Sequence, residues 1–118
     1  MIEFVSQSRC ITCNKCVQVC PMNVFSAVKN APPVMARQED CQTCFICELY
    51  CPEDALFVGP DAEAVEGFDP ATVAASGLLG QYRRDSGWGE WAGDPRYANQ
   101  HWRMESIFAR ARAAVQKP

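Results

Sequence analysis

In the first sixty residues the apolar side chains come in brief stretches between prolines, asparagines and cysteines, which suits short strands and one- or two-turn helices. Residues 3–5 and 56–59 read as outer strands. Residues 24–28 and 34–37 read as inner strands, joined through a turn at Asn30, Ala31, Pro32 and Pro33. Residues 14–20 and 45–51 each suit a short helix, stopped by Pro21 and Pro52, which cannot continue one. Ordered along the chain, these elements make two β-α-β halves.

Beyond residue 60 the character changes. Asp69-Pro70 and Asp94-Pro95 each place a capping carboxylate before a proline at the first helical position. The first helix is expected over 70–76, ended by Gly77. The second is expected over about 95–115, where Tyr97, His101, Met104, Phe108, Ala111 and Val115 recur at three- and four-residue steps. Gly77-Leu78-Leu79-Gly80 reads as a turn or a close backbone contact. Residues 81–93 show no period but are too aromatic for a plain linker.

The chain's eight cysteines alter this outline. Cys10, Cys13, Cys16 and Cys20 form one run and Cys41, Cys44, Cys47 and Cys51 a second, each reading C-x2-C-x2-C-x3-C-P. Every position of the second run lies 31 residues after its counterpart. Such a repeat implies two copies of one small unit, each too small to bury a core alone. With no leader expected at Met1-Ile2-Glu3-Phe4-Val5, cysteines this close point to metal rather than disulfides, since several have only near neighbours to pair with. Tetrahedral zinc can use C-x2-C pairs. Three thiolates at even steps can instead hold three corners of an iron-sulfur cubane while loop amides face its sulfides. Iron-sulfur ligation explains all eight cysteines; zinc leaves the third of each run without a role.

At these residues the chain resembles a bacterial-type ferredoxin carrying two 4Fe-4S clusters, over residues 2 to about 59. The resemblance implies crossed ligation: Cys10, Cys13, Cys16 and Cys51 on one cluster, and Cys41, Cys44, Cys47 and Cys20 on the other. It also implies the fold class, an α+β dicluster ferredoxin with a pseudo-twofold β-α-β repeat over 1–59, followed by an extended, partly helical tail over 60–118. Four cysteines per cluster leave no open coordination position, so single-electron transfer is the expected chemistry and no catalytic residue is assigned. His101 lacks a partner in sequence that would orient it for proton transfer, and it reads as a surface or packing residue.

Formal charge refines the expectation. Eleven Lys and Arg against fourteen Asp and Glu leave −3, which disfavours nucleic acid and anionic lipid as partners. No apolar run approaches the ~20 residues of a membrane span, so a cytoplasmic location is expected. Two oxidised clusters would bring the charge to roughly −7. Arg9 and Lys15 flank the first run and Glu48, Glu53 and Asp54 the second, an arrangement that by itself makes the second run's cluster harder to reduce.

Residues 60–118 hold all three tryptophans and no cysteine. Tyr, Trp and Arg are enriched at interface hot spots, so Tyr82, Trp88, Trp91, Trp102 and Phe108 are expected to contact a larger partner. A ferredoxin module with such an extension is similar in organisation to the small electron-transfer subunit of adenylylsulfate reductase-like flavoprotein complexes. That places a flavin in the partner and makes this chain a non-catalytic relay subunit. The alternatives are a free ferredoxin whose tail packs on itself and a zinc-binding interaction module.

Overall fold

The computed structural model describes residues 1–97 and 104–115. Its elements run β1 (Ile2–Val5), α1 (Lys15–Val19), β2 (Ser26–Val28), β3 (Ala31–Val34), α2 (Ile46–Tyr50), β4 (Leu56–Val58), α3 (Pro70–Ala75), α4 (Gln81–Asp85) and α5 (Met104–Val115), with 3-10 turns at Gln38–Asp40 and Gly89–Trp91. β1 pairs antiparallel with β4 and β2 with β3, giving two separate two-stranded sheets.

The offset of 31 seen in the cysteines reappears in the backbone. Ser6 N–H donates to Ala55 O, and its counterpart Arg37 N–H donates to Val24 O. Three pairs of non-glycine residues share the left-handed region at that spacing: Thr12 and Thr43, Asn14 and Phe45, Asn23 and Asp54. Asparagine adopts this conformation readily, whereas a bulky residue such as Phe45, at φ 62°, does so at a cost. Sheet edges explain the one misread turn. Pro32 and Pro33 lie inside β3, and the reversal is made by Lys29 and Asn30, the latter at φ 58°. In a two-stranded sheet each strand is an edge, where a missing N–H is tolerated.

A continuous apolar core lies between the two helices and the sheets, built from Ile2, Val5, Val24, Phe25, Phe45, Cys47, Leu56 and Val58. A second core forms on the opposite face of β4, where Phe57 meets Val73, Leu78, Leu79 and Ala111, with Phe4 and Phe68 packed against it. The described part of the tail therefore lies back on the cysteine-bearing half. Gly80, at φ +72°, receives the chain against β4: its N–H donates to Leu56 O at 3.2 Å, and a Cβ there would collide with the Asp54 side chain. Asp69 caps α3 as its sequence requires, accepting from Ala71 N–H at 3.1 Å.

Residues 81–93, aperiodic in sequence, contain α4. Its helicity is imposed by contacts rather than pattern. Arg83 donates to Leu49 O and pairs with Glu90 at 2.7 Å, while Tyr82 and Phe108 stack on Phe45 with ring centroids 4.4 and 5.4 Å from it. Tyr82 and Phe108, expected at a partner interface, are thus engaged within the chain. The expected 95–115 helix is present as a turn closed by Tyr97 N–H on Asp94 O and as α5; His101 and Trp102 lie outside the described residues.

Glu48 locks tail to core. It is 2 % exposed, and its two carboxylate oxygens accept from Val58 N–H at 3.1 Å and Tyr82 N–H at 2.9 Å. Burial pushes its carboxyl up to about 8 in spite of those donors. The folded chain thus holds this proton more tightly than the unfolded one, so Glu48's contribution is most favourable below pH 4.5 and declines as pH rises toward about 8. A glutamine can accept from one of the two N–H groups and leaves the other unpaired. Glu48→Gln is expected to cost about 1–3 kcal/mol and to speed amide exchange at Tyr82 or Val58 while iron content is unchanged. Undiminished protection at both amides would show that the carboxylate does not hold the tail.

Candidate metal centres

Each cysteine run begins in a loop with residues at positive φ and ends on the residue directly after a short helix. Cys13 and Cys44 are exposed, Cys10, Cys16, Cys20, Cys41 and Cys51 half-buried, and Cys47 buried. The helices α1 and α2 carry Cys16 and Cys47 on their first turns, and Cys20 and Cys51 cap their ends in extended conformation. That extended cap carries each fourth cysteine out of its own loop.

The result is two similar cavities with about 350 and about 330 Å³ of empty space, each partly open to solvent. Cys10, Cys13, Cys16 and Cys51 line the first, and Cys20, Cys41, Cys44 and Cys47 the second. Among the described residues, no three His, Cys, Asp or Glu side chains gather closely enough for a single metal ion. The thiols ring a larger space instead, and a wholly sulfur donor set with apolar walls suits an iron-sulfur cluster.

Backbone amides are aimed at these sulfurs. Thr12 N–H donates to Cys10 Sγ and Thr43 N–H to Cys41 Sγ, both at 3.4 Å. Val24 N–H donates to Cys20 Sγ at 3.5 Å and Ala55 N–H to Cys51 Sγ at 3.3 Å. Such donors favour thiolate and offset the negative charge of a cluster. Without metal, burial pushes the Cys16 thiol up to about 11 and raises Cys47 and Cys51 as well. Loading the site therefore expels protons from buried sulfur.

Because Cys51 lines the first cavity and Cys20 the second, the charges beside them are redistributed as well. Glu53 and Lys15 line the first cavity, so Glu53 sits on the side opposite to the one its place in sequence suggests. Among the described residues, no charged side chain lines the second. Asp54 follows Cys51 to the first side, where its charge bears on that thiol, and Arg9 Nη1 donates to Asp54 O. Of the apolar residues near the two cysteine runs, Val24, Phe25, Phe45, Ala55, Leu56 and Phe57 are buried, while Ile11 is 57 % and Tyr50 42 % exposed. Tyr50 meets Trp88 edge-on at 5.8 Å, and Trp88 is itself 41 % exposed.

Residues 9–56 match the family model for a 4Fe-4S dicluster domain. A ferredoxin of Methanothermococcus thermolithotrophicus is 41% identical over 46 residues, which is 39% of this chain and 75% of that protein. An uncharacterized ferredoxin of Methanocaldococcus jannaschii is 43% identical over 49 residues, 42% of this chain and 77% of the relative. NADH-quinone oxidoreductase subunit I of Pelobacter propionicus is 32% identical over 79 residues, covering 58% of this chain and 42% of its own length. No solved structure matches the chain. Among the described residues, no helix is long and apolar enough to cross a membrane.

Proposed function

This chain belongs to the ferredoxin family, and from that footing we propose that it relays single electrons to or from a flavin-containing catalytic subunit of an oxidoreductase complex. It carries two 4Fe-4S clusters, which supply one-electron chemistry. In this reading the pseudo-twofold ferredoxin fold assigns Cys10, Cys13, Cys16 and Cys51 to one cluster and Cys41, Cys44, Cys47 and Cys20 to the other. The lining of two matched cavities by those same two sets is the observation that carries it. The chain's own residues hold the clusters, direct amides at the thiolates and limit water around Cys47.

Two observations bear on the partner. One relative is by name a subunit of a quinone oxidoreductase, and the exposed Tyr50–Trp88 pair beside α2 presents aromatic surface of the kind hot spots use. With Tyr82 and Phe108 stacked on Phe45, Trp88 is, among the described residues of the tail, the exposed aromatic that a flavoprotein can meet. The same stacking supports a second reading, a free carrier whose tail serves only to cover its own core. Anaerobic affinity purification of the holo chain separates them. The subunit reading expects a larger chain with bound flavin, retained by the native protein and lost in Trp88→Ala; a monomer that elutes alone at full cluster content supports the free carrier.

A further inference from the structure

The matched amide donors around the two sulfur sets have one gap. Ile2 N–H donates to Cys41 Sγ at 3.3 Å, a third donor on the second side in addition to Thr43 and Val24. The residue 31 positions after Ile2 is Pro33, which has no N–H to give. By the offset the two occupy matching places in β1 and β3: Ile2 lies opposite Val58, and Val34, next to Pro33, lies opposite Ser26, with an irregularity in each pairing beside these positions. Both residues are buried.

Among the described residues, no other donor position differs in this way. The Thr12 and Thr43 amides match, as do those of Val24 and Ala55. The Val17 and Glu53 amides also act on Cys16 and Cys51, and their counterparts Glu48 and Met22 both retain an N–H. Only the Ile2/Pro33 position is chemically barred from donating on one side.

A hydrogen bond to a ligating sulfur stabilises the more negative, reduced cluster and raises its potential. We propose that this single backbone position sets the two clusters apart: Ile2 raises the potential of the cluster held by Cys41, and Pro33 withholds the equivalent rise from the cluster held by Cys10. The effect runs against the order that the charges beside each run suggest in sequence, and the placement of Glu53 at the first cavity adds to it. Ile2 and Pro33 are thus positioning residues that act through the cysteines. The inference rests on the ligand sets proposed above.

Potentiometric titration of the anaerobic holo protein followed by EPR, with iron and sulfide measured on each sample, tests it. Pro33→Ala restores an N–H at the position that the repeat matches to Ile2. It is expected to raise one midpoint by on the order of tenfold in the reduction equilibrium, about 59 mV for a one-electron couple, and to leave the other in place. Ile2→Pro, at the first position of a strand where proline is accommodated, is expected to lower the other midpoint. Unmoved midpoints in Pro33→Ala at full cluster content would overturn the inference and leave the electron-carrier reading standing. Absence of two clusters from the native chain would instead remove the footing of both. Should Ile2→Pro fail to assemble, Pro33→Ala decides alone.

Discussion

Replacing Cys51 by alanine is expected to cost the chain the cluster of the first cysteine run and to spare that of the second. The sequence places Cys51 at the end of the second run, yet its side chain lines the cavity of Cys10, Cys13 and Cys16. The cause is local. Residue 51 caps α2 at φ −83° and ψ 107°, and this extended step, followed by Pro52, swings the sulfur away from its own loop. Ala55 N–H then meets the sulfur at 3.3 Å on the far side. Iron should fall from about eight to about four atoms per chain. Combining Cys51→Ala with Cys10→Ala makes the test sharp. If the two residues serve one cluster, the double variant retains the same four or so irons as either single variant; if each serves its own run, the double variant retains none. Iron analysis with EPR of the reduced proteins distinguishes the outcomes.

Removal of both clusters is expected to unfold the chain, tail included. The cavities lie beside the apolar core, which reaches Phe45, Cys47, Leu56 and Val58, and the tail is anchored on this same group through Tyr82 and Phe108. Emptying the cavities removes the atoms these side chains pack against and leaves buried thiols with no ligation to offset their desolvation. A domain of this size has on the order of 5–15 kcal/mol of total stability, and metal binding to sulfur sites of comparable kind supplies on the order of 10 kcal/mol. Chelation under reducing, anaerobic conditions should therefore abolish the cooperative denaturation transition and open residues 60–97 to protease. A demetallated chain that keeps both its circular dichroism and its protease resistance would show that the protein part folds on its own.

The cysteine runs, their repeat and the short helices between them were legible because each rests on residues with a narrow set of uses: thiolates at fixed steps and prolines that end helices. The outer strands were legible for a similar reason. The crossing of Cys20 and Cys51 was not, since spacing alone leaves each at home in its own run; it was implied by the family resemblance alone, and the extended backbone at the two helix ends accounts for each sulfur's lining the other run's cavity. The Pro32-Pro33 turn was misplaced because proline in an edge strand looks, in sequence, like proline in a turn. The short helix α4 carries no period of its own and owes its form to Glu48, Leu49 and Phe45 across the fold.

One signal for the tail's placement was present and went unread. Leu56, Phe57 and Val58 are apolar in succession, and all three are buried. A strand with one face in water alternates, so this run requires cover on both faces. The clusters' side supplies one and the tail the other, through Leu79, Val73 and Ala111. Phe45 says the same from the other direction. It stands where the first half has Asn14, in a backbone conformation that asparagine adopts more easily, and its ring is what Tyr82 and Phe108 stack upon. The tail thus distinguishes the second half of the repeat from the first.

Everything functional in this molecule follows from thiolate sulfur organised around two cavities, and the composition of what fills them is the most direct check. Chain isolated without exposure to oxygen, and assayed together for iron, acid-labile sulfide and zinc, is expected to hold about eight irons and about eight sulfides with no stoichiometric zinc. One or two zinc atoms per folded chain, with sulfide absent, would contradict the account.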